Sequence, residues 1–184
     1  MFLRFLFFFL FFNYSLNLHA DQKQLIINRL LEINNFTFNF KQIAQGKIET
    51  GTCLLVFDNK LKCNYKDKFQ KEIIINNKTL VVWQKRYNKI YFYPISNTPF
   101  LKILNKKGLI NLIKESKIEL NDNINLIYFD ENQEKITILF EKKNYELIGW
   151  KMIDRFQDEI YFSLEIQSKN TKIDNNLFKI PSIN

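Results

Sequence analysis

Hydrophobic and polar residues alternate with a period of two between residues 51 and 65. The pattern predicts two short strands folded back on each other in a hairpin centred on Asp58. Facing residues of an antiparallel pair lie on the same side of the sheet, so this register makes one face apolar and the other basic. On the apolar face it pairs Gly51 with Tyr65, Cys53 with Cys63 and Leu55 with Leu61; on the other it pairs Leu54 with Lys62 and Val56 with Lys60.

The residues before this hairpin predict one helix and one strand. Apolar positions recur at helical spacing after Asp21, which can cap a helix. From Phe36 the period changes to two, which indicates a first strand that ends before Gly46. The helical stripe would consist of Leu25, Ile26, Arg29, Leu30 and Ile33, and the apolar side of the strand of Phe36, Phe38 and Phe40.

The rest of the chain predicts further strands, interrupted by two short helices. Thr98 can cap the first of these helices, and Pro99 suits its first position. Gly108 precedes the second helix, at 109–113, and the tail at 173–181 should be extended and pack at an edge of the sheet. Further strands are expected at 72–75, 79–83, 90–93, 124–129, 135–140, 145–154 and 159–167.

Together these elements predict a mainly β fold with some α-helix. One long helix, about ten strands and two short helices fit a curved antiparallel sheet, or unclosed β-barrel, with helices across its mouth. No internal linker rich in Pro, Gly or Ser divides the chain, so one domain is the economical prediction.

The first twenty residues have the pattern of an export signal. Arg4 supplies a positive charge, residues 5–12 are an apolar run, and Ala20 is the small residue that signal peptidase requires. The apolar run is shorter than the roughly 20 residues of a membrane span. We therefore predict a cleaved signal peptide at 1–20 and an exported domain at 21–184; the alternative is that the segment is retained as an anchor.

The composition of the predicted domain excludes several kinds of chemistry. His19 is the only histidine and would leave with the signal peptide, which excludes His-dependent triads and His-ligated metals. The acidic candidates Asp154, Asp158 and Glu159 lie near a predicted turn without a nucleophile or base at motif spacing, so a solvated turn is the better interpretation. We expect no enzyme activity, no metal and no cofactor.

The charge of the chain indicates its partners only weakly. The formal net charge is +8, and removing Arg4 with the signal leaves +7, since 8 − 1 = 7. In an exported protein, such a charge favours anionic membrane surfaces or acidic partners over nucleic acid. We expect no nucleic-acid binding and a monomer.

The order of these features resembles the LolA type of periplasmic lipoprotein carrier, an unclosed barrel with a helical lid over an apolar cavity. The resemblance covers nearly the whole predicted domain. The residues that carry it are Phe38 and 40–42 after the first helix, Gly51, 61–65, 78–83, 97–100, 147–150 followed by Asp154, and Leu177 with Phe178 before Pro181.

The resemblance implies the following function and partners. The protein would be a chaperone that binds the acyl chains of lipoproteins and carries them from the inner towards the outer membrane. Its partners would be acylated lipoproteins, an inner-membrane ATP-binding-cassette release complex and an outer-membrane acceptor. The family often has Arg-Pro after the second strand, where the arginine ties the lid shut; Phe57 and Asp58 stand here, so that latch is in doubt. Arg86, Arg155 or a lysine could replace it.

An acyl-chain cavity should be lined by aromatic and aliphatic side chains without fixed polar partners, because each buried methylene contributes about 0.8 kcal/mol. The same periodicity also fits an ordinary filled core, in which case the protein would be a periplasmic binding or scaffold protein for another amphiphile or envelope polymer. The candidates are Phe38, Phe40, Leu55, Leu61, Tyr65, Ile73, Ile75, Val82, Tyr91, Tyr93, Ile138, Phe140 and Phe162, with Phe100, Leu101 and Leu104 on the lid.

The two cysteines face each other in the predicted hairpin. In an oxidising compartment, Cys53 and Cys63 could form a disulfide. The alternative is two free thiols that act as small apolar residues on the inner face.

Overall fold

The computed structural model describes residues 14–57, 59–95, 100–129, 134–153 and 158–181, with the side chains of 14–20, Phe100 and Leu101 left out. The apolar run at 5–12 therefore lies outside the described residues. Among the helices in the described ranges, none has the length and apolar character needed to cross a membrane.

The described strands form one antiparallel sheet in the order β6-β5-β4-β3-β2-β1-β11-β10-β9-β8-β7. Two meanders, β1 to β6 and β7 to β11, meet where β1 pairs with β11. Because β6 and β7 form the two ends of this order, the sheet is unclosed, and the predicted fold class is confirmed. The strands are Asn35–Ala44 (β1), Lys47–Val56 (β2), Lys60–Tyr65 (β3), Lys71–Asn76 (β4), Thr79–Gln84 (β5), Lys89–Pro94 (β6), Lys117–Leu120 (β7), Ile124–Phe129 (β8), Lys135–Phe140 (β9), Leu147–Ile153 (β10) and Glu159–Lys169 (β11).

The predicted register of the central hairpin is confirmed. β2 and β3 pair Cys53 with Cys63 and Leu55 with Leu61, as the polarity pattern indicates. This pairing defines two faces of the sheet. The inner face carries Leu55 and Leu61 and is covered by the helices, and the outer face carries Lys60 and Lys62.

The N-terminal helix, α1, begins earlier than the sequence indicates. It spans Tyr14–Leu31, so Asp21 lies within the helix and does not cap it. Its buried side chains are Ile26, Ile27 and Leu30, whereas Leu25, which the helical stripe included, is exposed. Leu25 and Ile27 lie on either side of the buried Ile26, and the helix buries Ile27 where the stripe predicts Leu25.

Two short helices, α2 (Phe100–Leu104) and α3 (Lys106–Glu115), follow β6 and form what we call the lid. Asn105 caps α3, and its Oδ1 accepts a hydrogen bond of 2.9 Å from the Gly108 N–H. Gly108 therefore lies in the first turn of α3 and does not precede the helix. The predicted cap of α2, Thr98 with Pro99, lies outside the described residues. The lid buries Ile103, Leu104, Leu109, Leu112 and Ile113.

The C-terminal tail differs most from its prediction. It does not lie extended at an edge but forms a 3-10 turn at Asn175–Phe178 on β3 and β4, in the interior of the strand order. Lys60 reaches the turn from the outer face, with 3.1 Å from its Nζ to the Asn175 Oδ1. Phe178 is buried there, separately from the inner-face core.

Candidate functional site

A cavity of about 240 Å³ lies between the inner face of the sheet and the lid. Strands β1 to β5, β10 and β11 supply its walls, and the lid closes it with Ile103, Leu104 and Leu109. Among the described residues that line it, Gln42 is the one side-chain amide. The other lining residues are Phe36, Phe38, Cys53, Leu55, Phe57, Leu61, Cys63, Tyr65, Ile73, Ile75, Leu80, Leu147, Trp150, Met152, Ile160, Phe162 and Leu164.

The predicted cavity residues divide into four groups by position. Phe38, Leu55, Leu61, Tyr65, Ile73, Ile75, Leu104 and Phe162 line the cavity. Phe40, Ile138 and Phe140 are buried in the surrounding core and do not line it, and Val82 is half-buried beside it. Tyr91 and Tyr93 are exposed on the edge strand β6. The side chains of Phe100 and Leu101 lie outside the described residues.

Several lining residues were not among the predicted ones, although alternation could have found some of them. Phe36 lies two residues before Phe38, and Leu164 two residues after Phe162, so each shares a face with a predicted residue. Leu147 and Trp150 cannot both be found in this way, because a bulge between Leu147 and Gly149 shifts the register of β10. This bulge requires a glycine at position 149, because a Cβ there would lie 2.2 Å from the Phe162 carbonyl oxygen.

Stacked aromatic rings form one wall of the cavity. The ring of Phe162 stacks on Trp150 at 4.2 Å between centroids and on Phe40 at 5.1 Å. Phe40 also meets Tyr65 edge-on at 4.8 Å. Its ring lies over Gly51, where a Cβ would come within 2.6 Å of it. Phe40 therefore supports the wall from behind and has no free surface towards the cavity.

Cys53 and Cys63 are joined by a disulfide in the cavity wall, with their Cα atoms 4.1 Å apart. Both residues line the cavity, so the bond ties β2 to β3 where those strands face the lid.

Replacing both cysteines by serine should lower the free energy of unfolding by about 2–3 kcal/mol, because the short loop they close then regains its entropy in the unfolded chain. Urea denaturation of both proteins measures this difference. The same wild-type protein treated with a reductant should lose a similar amount, which separates loss of the bond from the burial of two hydroxyls. Equal stability of reduced and oxidised protein would contradict the prediction.

The cavity end near Tyr65 is neutral although charged groups surround it. Burial, and then the nearby carboxylates of Glu49 and Asp67, raise the pKa of Tyr65 well above its usual value, so its hydroxyl keeps its proton. The Lys71 Nζ lies 3.8 Å from the centre of the Tyr65 ring and 2.8 Å from the Glu49 Oε1. Burial opposes ionisation of Glu49, but hydrogen bonds from Lys71 and Lys47 outweigh it and lower the pKa of Glu49. The positive charges of Lys47 and Lys71 therefore lie against the negative charge of Glu49 outside the cavity.

Among the described residues, several polar contacts tie the lid to the sheet and to α1. The Lys23 Nζ of α1 donates to the Lys114 carbonyl of α3 at 3.0 Å. The Asn59 N–H donates to the Leu104 carbonyl at 3.4 Å, so the hairpin turn itself reaches the end of α2. The Lys106 Nζ lies 3.4 Å from the Leu31 carbonyl oxygen and 5.4 Å from the centre of the Phe57 ring. Lys102 donates to the Tyr128 hydroxyl at 3.0 Å.

These contacts bear on the residue that could replace the family's arginine latch. Arg86 lies elsewhere, since it donates to the Lys68 carbonyl at 3.3 Å. Arg155 is outside the described residues. Among the candidates within the described residues, Lys102 and Lys106 are the lysines of the lid that link it to its neighbours, to β8 and α1 respectively.

Comparison with known proteins identifies the family. The family model described as "Outer membrane lipoprotein carrier protein LolA" matches residues 32–181, which is most of the chain. The chain belongs to the LolA family. This is a family of carriers and not of enzymes, so the chain is a binding protein, as the sequence predicted.

The chain is also similar to individual proteins. An outer-membrane lipoprotein carrier protein of Campylobacter jejuni is 29% identical over 154 residues, which cover 81% of this chain and 82% of the relative. An uncharacterised conserved protein of Thermus thermophilus superposes with a TM-score of 0.53 at 8% identity, covering 91% of this chain and 94% of that one, which is evidence for the fold alone. A LolA superfamily protein of Nitrosomonas europaea gives a TM-score of 0.41 at 10% identity, covering 85% and 97%.

Proposed function

We propose that this LolA-family protein binds the acyl chains of lipoproteins in the apolar cavity under the lid and carries them across the periplasm from the inner towards the outer membrane. The observation that carries the proposal is the lining itself, in which aliphatic and aromatic side chains face an unfilled space. Acyl chains released from a membrane need such a surface, because each exposed methylene costs about 0.8 kcal/mol. The name of the Campylobacter jejuni relative supports lipoproteins as the cargo.

The size of the cavity implies that the lid moves when cargo binds. At about 240 Å³ the cavity is smaller than pockets that hold drug-sized ligands, which are roughly 300–1,000 Å³. Complete acyl chains therefore need the lid to move away from the sheet. Opening breaks the polar contacts of Lys102, Lys106 and Asn59 and exposes apolar side chains that the lid buries, so bound acyl chains must cover part of that surface in the open form.

The remaining parts of the proposal concern location and partners. Residues 1–20 direct export and are cleaved, and the domain at 21–184 acts as a soluble monomer in the periplasm. An inner-membrane ATP-binding-cassette complex supplies the energy for loading, and an outer-membrane acceptor receives the cargo. The family assignment and the apolar run at 5–12 support this order of events.

A release assay tests the function directly. The protein, expressed from its full sequence and purified from the periplasm, is added to energised spheroplasts of the source organism, and the supernatant is examined for acylated lipoproteins bound to it. We expect soluble complexes to appear only when the protein is present. Failure of correctly folded protein to release any lipoprotein would favour the binding or scaffold alternative.

A further inference from the structure

The edge strand β6 is exposed on both of its faces. Among the described strands it pairs only with β5, so its second edge is open. Tyr91 and Tyr93, on the inner side, are 41% and 50% exposed, and Phe92, on the outer side, is 54% exposed. Tyr87, in the preceding turn, is exposed as well. Folded proteins usually protect such edges, and a group of exposed aromatic residues marks an interaction surface.

The stretch of sequence that contains this edge carries formal charges of one sign. Residues 73–114, which run from within β4 through the edge strand to the last residue but one of the lid, contain eight Lys and Arg residues and no Asp or Glu. Glu72 and Glu115 bound this range. The rest of the chain is neutral, because 27 basic residues less these eight leave 19, which equals the number of acidic residues. The whole net charge of +8 thus resides in residues 73–114, which include the edge strand and all of the lid except Glu115.

Basic groups lie at both ends of the aromatic strand. Arg86 and Lys89 are exposed at its beginning. Lys78 is exposed at its other end, where the Lys78 carbonyl accepts a hydrogen bond from the Ile95 N–H at 3.3 Å. Lys85 contributes less, since its Nζ lies 2.5 Å from the buried Glu72 carboxylate.

We propose that the β6 edge, with Tyr87, Tyr91, Phe92 and Tyr93 and the flanking Lys78, Arg86 and Lys89, is a docking surface for an anionic phospholipid bilayer. Aromatic side chains are favoured at the level of lipid head groups, where one end is apolar and the other hydrated. Lysine and arginine are attracted to the negative surface beside them. A basic and aromatic edge of this kind matches an anionic bilayer better than a protein strand, because strand pairing uses backbone hydrogen bonds and requires no run of one charge.

This inference goes beyond the carrier function and does not require lipoprotein as the cargo. Docking by β6 would hold the lid, which follows that strand directly in the chain, beside the membrane surface. Any amphiphile that enters or leaves the cavity would then cross little water.

Flotation with lipid vesicles tests the proposal without any lipoprotein. The protein recovered from the periplasm is mixed with vesicles of phosphatidylglycerol and phosphatidylcholine, or of phosphatidylcholine alone, and centrifuged in a density gradient. We expect flotation with the anionic vesicles only, and its loss at 1 M salt, where the screening length falls to about 3 Å. Equal flotation with neutral vesicles, or none with either, would overturn the proposal.

Matched variants locate the surface. Phe92→Ser should weaken partitioning by about tenfold or more, as expected for a large apolar side chain that loses its buried position. The control Phe129→Ser removes a phenylalanine of the same 54% exposure elsewhere and should bind as the wild type does.

The charges have a matched control as well. Arg86→Ser with Lys89→Ser should weaken binding by about 25-fold, at about fivefold for each charge, whereas Lys142→Ser with Lys143→Ser, which removes two exposed lysines outside residues 73–114, should have little effect. Thermal unfolding confirms that these surface variants are folded. Equal losses in variant and control, or unchanged flotation with loss of binding to a partner protein, would show that β6 is not the membrane surface.

Discussion

Leu61→Glu should abolish release of lipoproteins by this protein. Leu61 is buried and lines the cavity in the middle of β3, opposite the lid. A carboxylate at this position holds water in the space that an acyl chain must fill, and leaving it unpaired beside the chain costs several kcal/mol. Soluble complexes in the spheroplast supernatant measure the effect. Leu54→Glu is the matched control, because it introduces the same group on the same hairpin but on the outer face, beside Lys62.

Two further variants separate loss of binding from loss of folding. Leu80→Glu places the carboxylate on another lining residue that is partly exposed, so it should fold as the wild type does and still fail in release. Phe140→Glu should unfold the protein, since Phe140 is fully buried in the core and is not among the residues that line the cavity. If folded Leu61→Glu and Leu80→Glu both released lipoproteins at the wild-type rate, the cavity would not be the cargo site.

The sequence predicts the sheet better than it predicts the cavity. The extended backbone of any strand points successive side chains to opposite faces of the sheet. The resulting alternation of apolar and polar residues identified the hairpin register and most strands. The four residues of β7 are too few to show that period. Alternation also states which side of the sheet a residue faces, but not what covers it. Ile138 lies on the inner side where the core is filled, whereas Ile73 lies where a space remains.

The edge of the sheet shows the same limit. Tyr91 and Tyr93 follow the inner-face parity, which is why they were predicted to line the cavity. They are exposed because β6 has no neighbour on its far side among the described strands. Which strand is outermost depends on the order of pairing across the whole sheet, and local sequence does not contain that information. The position of the tail on the outer face is a long-range contact of the same kind.

Phe178→Ala should lower the free energy of unfolding by about 3–5 kcal/mol, the usual cost of removing a buried aromatic ring. Phe178 is 1% exposed and belongs to the 3-10 turn that packs on the outer face of β3 and β4. Among the described residues, the polar contacts between this turn and the sheet are those of Lys60, whose Nζ lies 3.1 Å from the Asn175 Oδ1, and of Asn76, whose Nδ2 lies 3.4 Å from the Phe178 carbonyl oxygen. These two polar contacts are too weak to hold the tail without the ring.

The neighbouring residue provides the control for this prediction. Leu177 is 40% exposed in the same turn, so Leu177→Ala should change the free energy of unfolding by no more than about 0.5 kcal/mol. Urea denaturation of the three proteins measures both differences. Below its unfolding transition, Phe178→Ala should still release lipoproteins, because the ring lies on the opposite side of the sheet from the cavity. Equal stability of the two variants would mean that the tail is not fixed on the sheet. A folded Phe178→Ala protein that released no cargo would instead mean that the outer face controls the width of the cavity through β3 and β4.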